Sequence, residues 1–490
     1  MTRFKESYGH SMNIEASIVQ AMDTSGRAIV PAGTTVVIAL LGMFLTGVTF
    51  MYGLAIASVL AVLLVLLASL TALPALLTAW GSRVVRPTRR KRRRIERGEA
   101  PRQSSWRRWS RLVRSRPWPL AIASLAIMLA VLIPVHSLRL ESSDADNDPS
   151  NTSSYRAYHL LANGFGPGPN GPLQIVVQMS KPAQQPQLAA VRAAVAGTPD
   201  VAAVTAPELA RSGRIAVMSA YPASAPQAQA TTDLVHRLRD QVLPPFQKHL
   251  PARPLVGGFT AGSIDFSGVL ASKLPLFIGI VVMLSALLLA VIFRSLVIPV
   301  QAALMNLLSI GGALGATVVV FQNGFLAGVL GVTPGPVEPW LPVLTFAVVF
   351  GLSMDYEVFL ISRVREEWVR HRDATRAVAD GIAYTGRVIT AAAAIMICVF
   401  LSFVVGNERS LKEFGFGLAA AVFLDAIVVR CVMLPALLEI LGRVTWQLPA
   451  WLDRRLPRIR IEGHAAEGDA LGERLSADAA LLPEPAPSGR

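Results

Sequence analysis

The stretch Gly351–Arg363, which reads GLSMDYEVFLISR, places two acids at the end of an apolar run that begins near Trp340. On insertion scales, an acid at the centre of a membrane-spanning helix costs about 2.5–3.5 kcal/mol, so it normally faces a bundle interior or a water-filled path. Asp355 lies about four residues, or about 6 Å, from the middle of the run, where this cost is reduced but not removed. We therefore expect Asp355 to be buried between helices. A solvated position at the cytoplasmic end of the helix is the alternative, and it suits Glu357 better.

The composition is that of a polytopic membrane protein. Of the 490 residues, 52% are hydrophobic and 16% are charged, whereas soluble domains contain about 25% charged residues. The formal net charge of +14 comes almost entirely from residues 83–116, which hold 15 lysines and arginines against Glu96 and Glu99. The positive-inside rule places this basic loop in the cytoplasm, and this interpretation outweighs binding of nucleic acid.

Apolar runs separated by charged segments predict about eight transmembrane helices. With eight spans, both termini lie in the cytoplasm of a multi-pass plasma-membrane protein. The predicted organisation is an amphipathic helix and two transmembrane helices in 1–82, the basic loop 83–117, a transmembrane helix 118–138, an extracytoplasmic domain 139–272, a five-helix transmembrane bundle 273–442 and a cytoplasmic tail 443–490 with the composition of a disordered segment.

The segment 139–272 has the composition of a soluble domain and a distinct order of predicted elements. That order is strand, helix, strand, strand, helix, strand, which predicts a ferredoxin-like α+β module of the porter type. The predicted strands are 173–179, 201–205, 214–220 and 255–257, and the predicted helices are 187–196 and 231–249.

A parallel internal repeat relates the two parts of the chain. Residues 3–41 match residues 363–401 at a constant offset of 360, and the motif LPALL occurs at both 73–77 and 434–438. Repeated halves are common in transporters. Projected back by the same offset, the helix that carries Asp355 would precede Met1. We therefore expect the first half of the transporter to be incomplete at its N-terminal end.

Further charged residues and glycines inside the predicted spans are candidate functional residues. Asp425 lies in the last predicted span, Phe414–Leu441. Two roles stay open for it: a proton-handling role beside Asp355, or a structural pair with a backbone partner or with Arg430, the candidate counter-charge. The candidate helix-packing positions are the small residues that allow close helix approach: Gly351, Gly311, Gly312 and Gly315.

Cofactor chemistry is not predicted by this sequence. The lone histidines His136 and His159 do not form a metal-binding pattern, and no P-loop motif indicates hydrolysis of a nucleotide. The two cysteines, Cys398 and Cys431, lie in apolar spans and predict no disulfide framework.

The motif GLSMDYEVFLISRVREE, the span that follows Gly386–Arg387 and the last helix with its LPALL motif together resemble the MMPL family of the resistance–nodulation–division superfamily. The resemblance implies two related six-helix halves, each with a large domain after its first helix. It also implies export of lipids or lipid-like molecules, driven by a proton gradient and without a cofactor. The resemblance further implies that Asp355 and Tyr356 belong to the proton relay. We add Asp425 to this relay as a further candidate.

Two functions follow as expectations. The first is proton-motive-force-driven export of lipids or other hydrophobic molecules across the cytoplasmic membrane. The alternative is a truncated, non-transporting remnant or an accessory membrane subunit that needs a partner to supply the missing first half. Neither is an enzyme. The expected partners are membrane lipids, a lipid-like substrate, and either a second copy of the chain or an upstream half-transporter.

Overall fold

The computed structural model describes Phe4, Tyr8 and residues 13–85, 105–180, 185–371 and 373–446. Eight helices in this part of the chain are long and apolar enough to cross a membrane. This finding confirms the predicted class, a polytopic α-helical membrane protein. The predictions for residues 86–104 of the basic loop, and for the tail after residue 446, lie outside the described residues.

The first two spans form a helical hairpin. Its elements are α1 (Ile14–Ala21), α2 (Arg27–Leu41), α3 (Thr49–Leu70) and α4 (Ala72–Val85). The connection contains Gly47, whose φ of 74° lies in the left-handed region that ends many helices at a glycine. The chain reverses direction at Gly47, and α3 begins two residues later.

A short basic helix precedes the third span, and a small α/β module follows it. The helices are α5 (Ser105–Ser115) and α6 (Pro117–Leu132). The module contains α7 (Ser153–Phe165), β1 (Leu173–Gln178), α8 (Gln185–Ala196), β2 (Val201–Val204), β3 (Glu208–Leu209), β4 (Ile215–Pro222), α9 (Gln229–Arg237) and β5 (Leu255–Gly257).

The module is built on one antiparallel sheet with the strand order β2-β4-β1-β5, and β3 pairs with β4. Alternate residues of β4 are buried, as expected for a strand that covers a core with one face. The predicted run of strands and helices is present, with α7 placed before it and the two-residue β3 added. Assignment to the ferredoxin-like class stays a prediction.

Two boundaries of the module differ from the prediction. The long helix expected over 231–249 is wrong: α9 ends at Arg237, a π-helical turn covers Leu238–Val242, and a short 3-10 turn begins at Pro244. Pro244 and Pro245 lack backbone N–H groups, so an α-helix cannot continue through them. The fourth span, predicted to start at Lys273, belongs to a helix that already begins at Phe259 inside the module.

The remaining spans form the bundle below the module. Four of them are single helices: α10 (Phe259–Phe293), α11 (Val297–Thr317), α13 (Leu341–His371) and α14 (Ala374–Val404). A short helix, α12 (Ala327–Leu330), lies between α11 and α13. The last span consists of α15 (Arg409–Phe423), a π-helical segment (Leu424–Met433) and α16 (Leu434–Leu441). The last span was expected to begin at Phe414, but its helix already begins at Arg409.

Helix α13 occupies the centre of the bundle. It and the last span are the most deeply buried of the eight spans, and α13 packs against α2, α11, α14 and α15. The large buried side chains Phe346 and Phe350 of α13 lie in a core shared with α2 and α10. The helix that carries the Asp-Tyr pair therefore packs against helices from both the N-terminal and the C-terminal parts of the chain.

Candidate functional site

A cluster of polar and charged side chains lies inside the bundle, where three helices meet. Asn306 comes from α11, Ser353 and Glu357 come from α13, and Asp425 and Arg430 come from the π-helical segment. Each of the five residues is at most 3% exposed. Buried groups of this kind are costly unless they are paired with one another, and we refer to these five residues as the charge cluster.

The guanidinium of Arg430 is the centre of the charge cluster. Its Nε lies 3.3 Å from Asp425 Oδ2, and its Nη2 lies 3.4 Å from Glu357 Oε2. The same Nη2 donates to Ser353 Oγ at 2.6 Å and to the Ser353 carbonyl at 2.5 Å. One arginine therefore contacts two carboxylates and also donates a hydrogen bond to the backbone of the neighbouring helix.

Ser353 connects the acid on one helix to the amide on another. Its hydroxyl lies 2.9 Å from Asp425 Oδ1 and 2.5 Å from Asn306 Oδ1. A hydroxyl has a single hydrogen, so it donates to only one of these two oxygens at a time. At any moment the Ser353 hydroxyl therefore donates either to the last span or to α11.

The π-helical backbone brings Asp425 and Arg430 to the same side of their span. In an α-helix, residues five apart point about 140° away from each other, because each residue turns the helix by about 100°. In a π-helix the repeating hydrogen bond joins residues five apart, and such segments are frequent at functional sites. The ten-residue segment Leu424–Met433 thus makes the ion pair possible within one helix.

A second group of charged residues joins the bundle to the module. Arg409, at the start of α15, is 3% exposed and donates to the carbonyls of Gly335 and Pro336, each at 2.9 Å. It also lies 3.4 Å from Glu413 Oε1, and its Nη1 donates to Ser143 Oγ at 3.1 Å. The start of the last span is therefore fastened to the segment that enters the module.

Glu338 completes this outer junction from the side of α13. Its Oε1 accepts hydrogen bonds from the Ser143 backbone N–H at 3.1 Å and from Ser410 Oγ at 2.9 Å. Its own backbone N–H donates to Glu413 Oε2 at 3.3 Å. Glu338, Arg409, Glu413, Ser143 and Ser410 together form what we call the outer junction. Two of the three helices that carry the charge cluster, α13 and the last span, begin there.

A cavity of about 550 Å³ lies between the outer junction and the module. Its lining includes acidic side chains, and burial raises the pKa of Glu141 to about 7 although nearby Arg139 opposes the shift. Burial also raises the pKa of Asp144 to about 6, opposed by a hydrogen bond from the Asp146 backbone. The amide nitrogen of the buried Asn147 has no hydrogen-bond partner in the described part of the chain. The cavity is therefore lined by both carboxyl and amide groups.

The model of the MMPL family matches residues 1–122 and 175–461. The chain belongs to the MMPL family. Among its relatives, the membrane protein YdfJ of Bacillus subtilis is 35% identical over 466 residues, which are 94% of this chain and 63% of YdfJ.

Two mycobacterial members of the MMPL family have names that state a substrate. The mycolic acid-containing lipids exporter MmpL11 of Mycolicibacterium smegmatis is 32% identical over 94% of this chain and 49% of its own length. The trehalose monomycolate exporter MmpL3 of Mycobacterium tuberculosis is 30% identical over 94% of this chain and 52% of its own length. The chain thus spans about half the length of these two relatives.

The burial of Glu357, one of the two acids in the stretch Gly351–Arg363, differs from the expectation. Glu357 was expected to be solvated at the end of its helix, and this is wrong: it is 2% exposed. The physical reason is that α13 continues to His371, so Glu357 lies well inside the helix. Asp355 lies on the same helix, but its side chain is outside the described part of the structure, and its burial stays a prediction. The Tyr356 hydroxyl contacts Met396 Sδ at 3.2 Å.

The glycines expected at helix contacts lie where helices approach closely. A Cβ atom on Gly351 would lie 3.0 Å from Val36 Cγ1 on α2, and one on Gly315 would lie 1.9 Å from the Val131 carbonyl oxygen on α6. A Cβ on Gly311 would lie 2.5 Å from a methyl group of Leu132, also on α6. Added to Gly312, a Cβ would lie 3.0 Å from Leu424 Cδ1.

Sequence reasoning missed Ser353 and Asn306 as members of the charge cluster, and it missed the outer junction entirely. A buried asparagine in an apolar span, such as Asn306, is a usable signal because a polar side chain in lipid needs a partner. Arg409 and Glu413 lie at the edge of a span, where charged residues are ordinary. Within the described residues, no group of three histidines, cysteines or acids is placed to hold a metal ion.

Proposed function

We propose that this chain is part of a proton-motive-force-driven exporter of lipids or lipid-like molecules, and that the charge cluster binds the proton. The observation that carries the proposal is that two buried carboxylates, Asp425 and Glu357, lie against one guanidinium, that of Arg430. The lipid substrate is supported by the names of MmpL11 and MmpL3, which are exporters of mycolic acid-containing lipids and of trehalose monomycolate.

The charge of the cluster changes with a single proton. When both carboxylates are ionised, they and the guanidinium of Arg430 carry a net charge of −1 in a site shielded from water. When one carboxyl is protonated, the three groups are neutral. Because an uncompensated charge is costly in the bundle interior, the two states favour different packing or hydration around Arg430. Glu357 Oε1 and Arg430 Nη1 have no hydrogen-bond partner in the described part of the chain, so the site has capacity for new bonds in the other state.

A change at the charge cluster reaches the module through the two helices that meet there. Ser353 and Glu357 lie on α13, Asp425 lies on the last span, and both helices begin at the outer junction beside the cavity. Proton binding shifts an equilibrium only if the two states bind protons differently. We propose that the shift moves α13 against the last span, and that the outer junction carries this movement to the walls of the cavity.

The remaining assignments of the relay belong to the same proposal. Asp355 lies between Ser353 and Glu357 along α13, and we propose that Asp355 and Tyr356 exchange the proton with Glu357 or with water. The basic residues 83–116 support a cytoplasmic location for that loop and both termini, with the module on the other side. Reporter fusions at Gly98 and Gln185 are expected to report opposite sides of the membrane. A shared side would contradict this topology.

Export is best tested in the native cells, with the chromosomal gene deleted and variants returned at its locus. Newly made lipids are labelled in a pulse, and the labelled lipids that reach the outer envelope are quantified with and without a protonophore. We expect the wild-type gene to restore export and Asp425→Asn or Glu357→Gln to match the deletion strain. Asp380→Asn is the matched control, because Asp380 forms only an exposed ion pair with Arg376.

Each part of the proposal has its own contradicting result. Export that continues at full rate after the protonophore would show that protons do not drive it. Full export by Asp425→Asn and Glu357→Gln, with normal protein levels in the membrane, would show that the charge cluster is not the proton site. An envelope lipid profile that the deletion leaves unchanged would contradict a lipid substrate.

A further inference from the structure

Helix α5 has one face buried in the bundle and one face exposed. Trp106 packs against Gly386 of α14, where a Cβ would lie 2.5 Å from the indole ring. Val113 is 1% exposed and Ser110 is 5% exposed. The apolar side of this amphipathic helix is therefore covered by protein, and the basic side is turned away from it.

Trp109 fixes α5 to the segment that carries the charge cluster. Its indole Nε1 donates a hydrogen bond of 2.7 Å to the carbonyl oxygen of Cys431, the residue that follows Arg430. A buried indole N–H normally requires such a partner. The position of α5 on the bundle is thus set by a specific bond, and the outward direction of its basic face follows from that position.

The exposed face of α5 carries positive charge, and the adjoining sequence offers no acidic residue to compensate it. Arg108 and Arg114 on α5 are exposed, and so is Arg116, which directly follows the helix. Within the described residues, they make no ion pair or side-chain hydrogen bond. From Ala100 to Leu140 the sequence contains no acid at all. On a helix far from a membrane, exposed arginines that contact only solvent would need no further explanation. This helix, however, lies directly before the third span, which begins at Pro117.

The adjoining residues place this face at the level of lipid headgroups. Trp118, the second residue of the span, is 62% exposed, and tryptophan is enriched at the boundary between hydrocarbon and water. Arg116 is only two residues away from it. An arginine fork matches the oxygens of a phosphate group, and basic residues next to a span attract anionic lipids.

We propose that Arg108 and Arg114 on the exposed face of α5, together with Arg116 directly after its last residue, form a binding site for the headgroup of an anionic phospholipid. A bound lipid of this kind would lie on a helix that Trp109 fastens to the π-helical segment. The site is separate from the cavity at the module, and it does not depend on which molecule is exported.

The experiment is a lipid titration of the purified full chain in detergent, followed by native mass spectrometry. The probes are phosphatidylglycerol, which is anionic, and phosphatidylcholine, which is zwitterionic. The wild-type chain is expected to bind phosphatidylglycerol more tightly. Because each basic residue near an anionic surface contributes about fivefold, R108Q/R114Q should weaken this binding about thirtyfold. R108K/R114K should keep the preference for phosphatidylglycerol.

The control variant is R211Q/R214Q, which removes two exposed arginines of the module and should bind phosphatidylglycerol as the wild type does. Equal binding of the two lipids by the wild type, or equal losses in R108Q/R114Q and R211Q/R214Q, would overturn the proposal. Complete displacement of the lipid by inorganic phosphate or by a short oligonucleotide would also overturn it, because the site would then bind a soluble anion or a nucleic acid.

A second measurement keeps the proposal testable if R108Q/R114Q does not fold. The wild-type chain is photo-crosslinked to a phosphatidylglycerol that carries a diazirine next to its headgroup, and the modified peptides are mapped. Adducts within residues 105–118 support the proposal. Adducts found elsewhere, with none in that range, contradict it.

Discussion

Asp425 and Arg430 lie five residues apart in the same span, and they form an ion pair of 3.3 Å because the backbone between them is π-helical. The pair is completed from α13, where Ser353 donates or accepts on both sides of it. A local irregularity of the backbone thus brings a buried acid and a buried base of one span together, and a second acid, Glu357, lies against the same base.

The Arg430 guanidinium is expected to stabilise the folded chain by compensating Asp425 and Glu357. Removing one partner of a buried ion pair typically costs about 3–5 kcal/mol, so Arg430→Gln should lower the free energy of unfolding by about that amount. Denaturant unfolding in detergent, followed by tryptophan fluorescence, measures the change. Arg376→Gln is the control, because Arg376 is 60% exposed and should change stability by less than about 0.5 kcal/mol. Equal effects of the two variants would contradict the central role of Arg430.

The docking of the module should weaken as the pH rises, because burial raises the pKa values of Glu141 and Asp144 to about 7 and about 6. A raised carboxyl pKa means that the folded state binds the proton more tightly than the unfolded state. This contribution to stability is full below the ordinary pKa values of 4.5 and 3.8. It is lost as the pH passes about 6 and then about 7.

The measurement is hydrogen exchange of the segment 139–148 between pH 5 and pH 8, with exchange rates corrected for their intrinsic pH dependence. Protection should fall with rising pH in the wild type and change less in Glu141→Gln/Asp144→Asn. The control is Asp240→Asn, since Asp240 is 70% exposed. A pH dependence that survives unchanged in Glu141→Gln/Asp144→Asn would show that other groups produce it.

The contact of α11 with α6 should tolerate no side chain at Gly315. A Cβ there would lie 1.9 Å from the Val131 carbonyl oxygen, whereas a Cβ on Gly279 would have no atom within 4 Å. Forcing atoms into a packed contact costs about 1–3 kcal/mol, so Gly315→Ala should lower the thermal unfolding temperature in detergent. Gly279→Ala should leave it unchanged or raise it slightly. Equal unfolding temperatures for Gly315→Ala and the wild type would contradict the close approach of these helices.

The sequence predicted the eight-span class because hydropathy and charge depend on local composition, which a single sequence contains. It also singled out Asp425 and Arg430, since charged residues within an apolar run are rare. The environment expected for Glu357 was wrong, because Glu357 was expected near the cytoplasmic end of its helix although α13 continues to His371.

Other features depend on packing that no local pattern encodes. The π-helical segment has ordinary apolar composition, so nothing in its residues announced the changed spacing of Asp425 and Arg430. Arg409 and Glu413 were inconspicuous because their partners, Glu338 and Ser143, lie far away along the chain. The double proline at Pro244 was a usable signal, and it was missed when one long helix was expected over 231–249.

The central claim is that the carboxyls beside Arg430 take up and release a proton. Infrared difference spectroscopy of the purified chain during a pH titration tests it most directly, because a protonated buried carboxyl gives a carbonyl band that shifts in heavy water. We predict that the intensity of this band changes with pH in the wild type and in Glu141→Gln/Asp144→Asn. In Glu357→Gln/Asp425→Asn, the contribution of one titrating carboxyl to the band should be missing. An unchanged carboxyl signal in Glu357→Gln/Asp425→Asn would contradict the account.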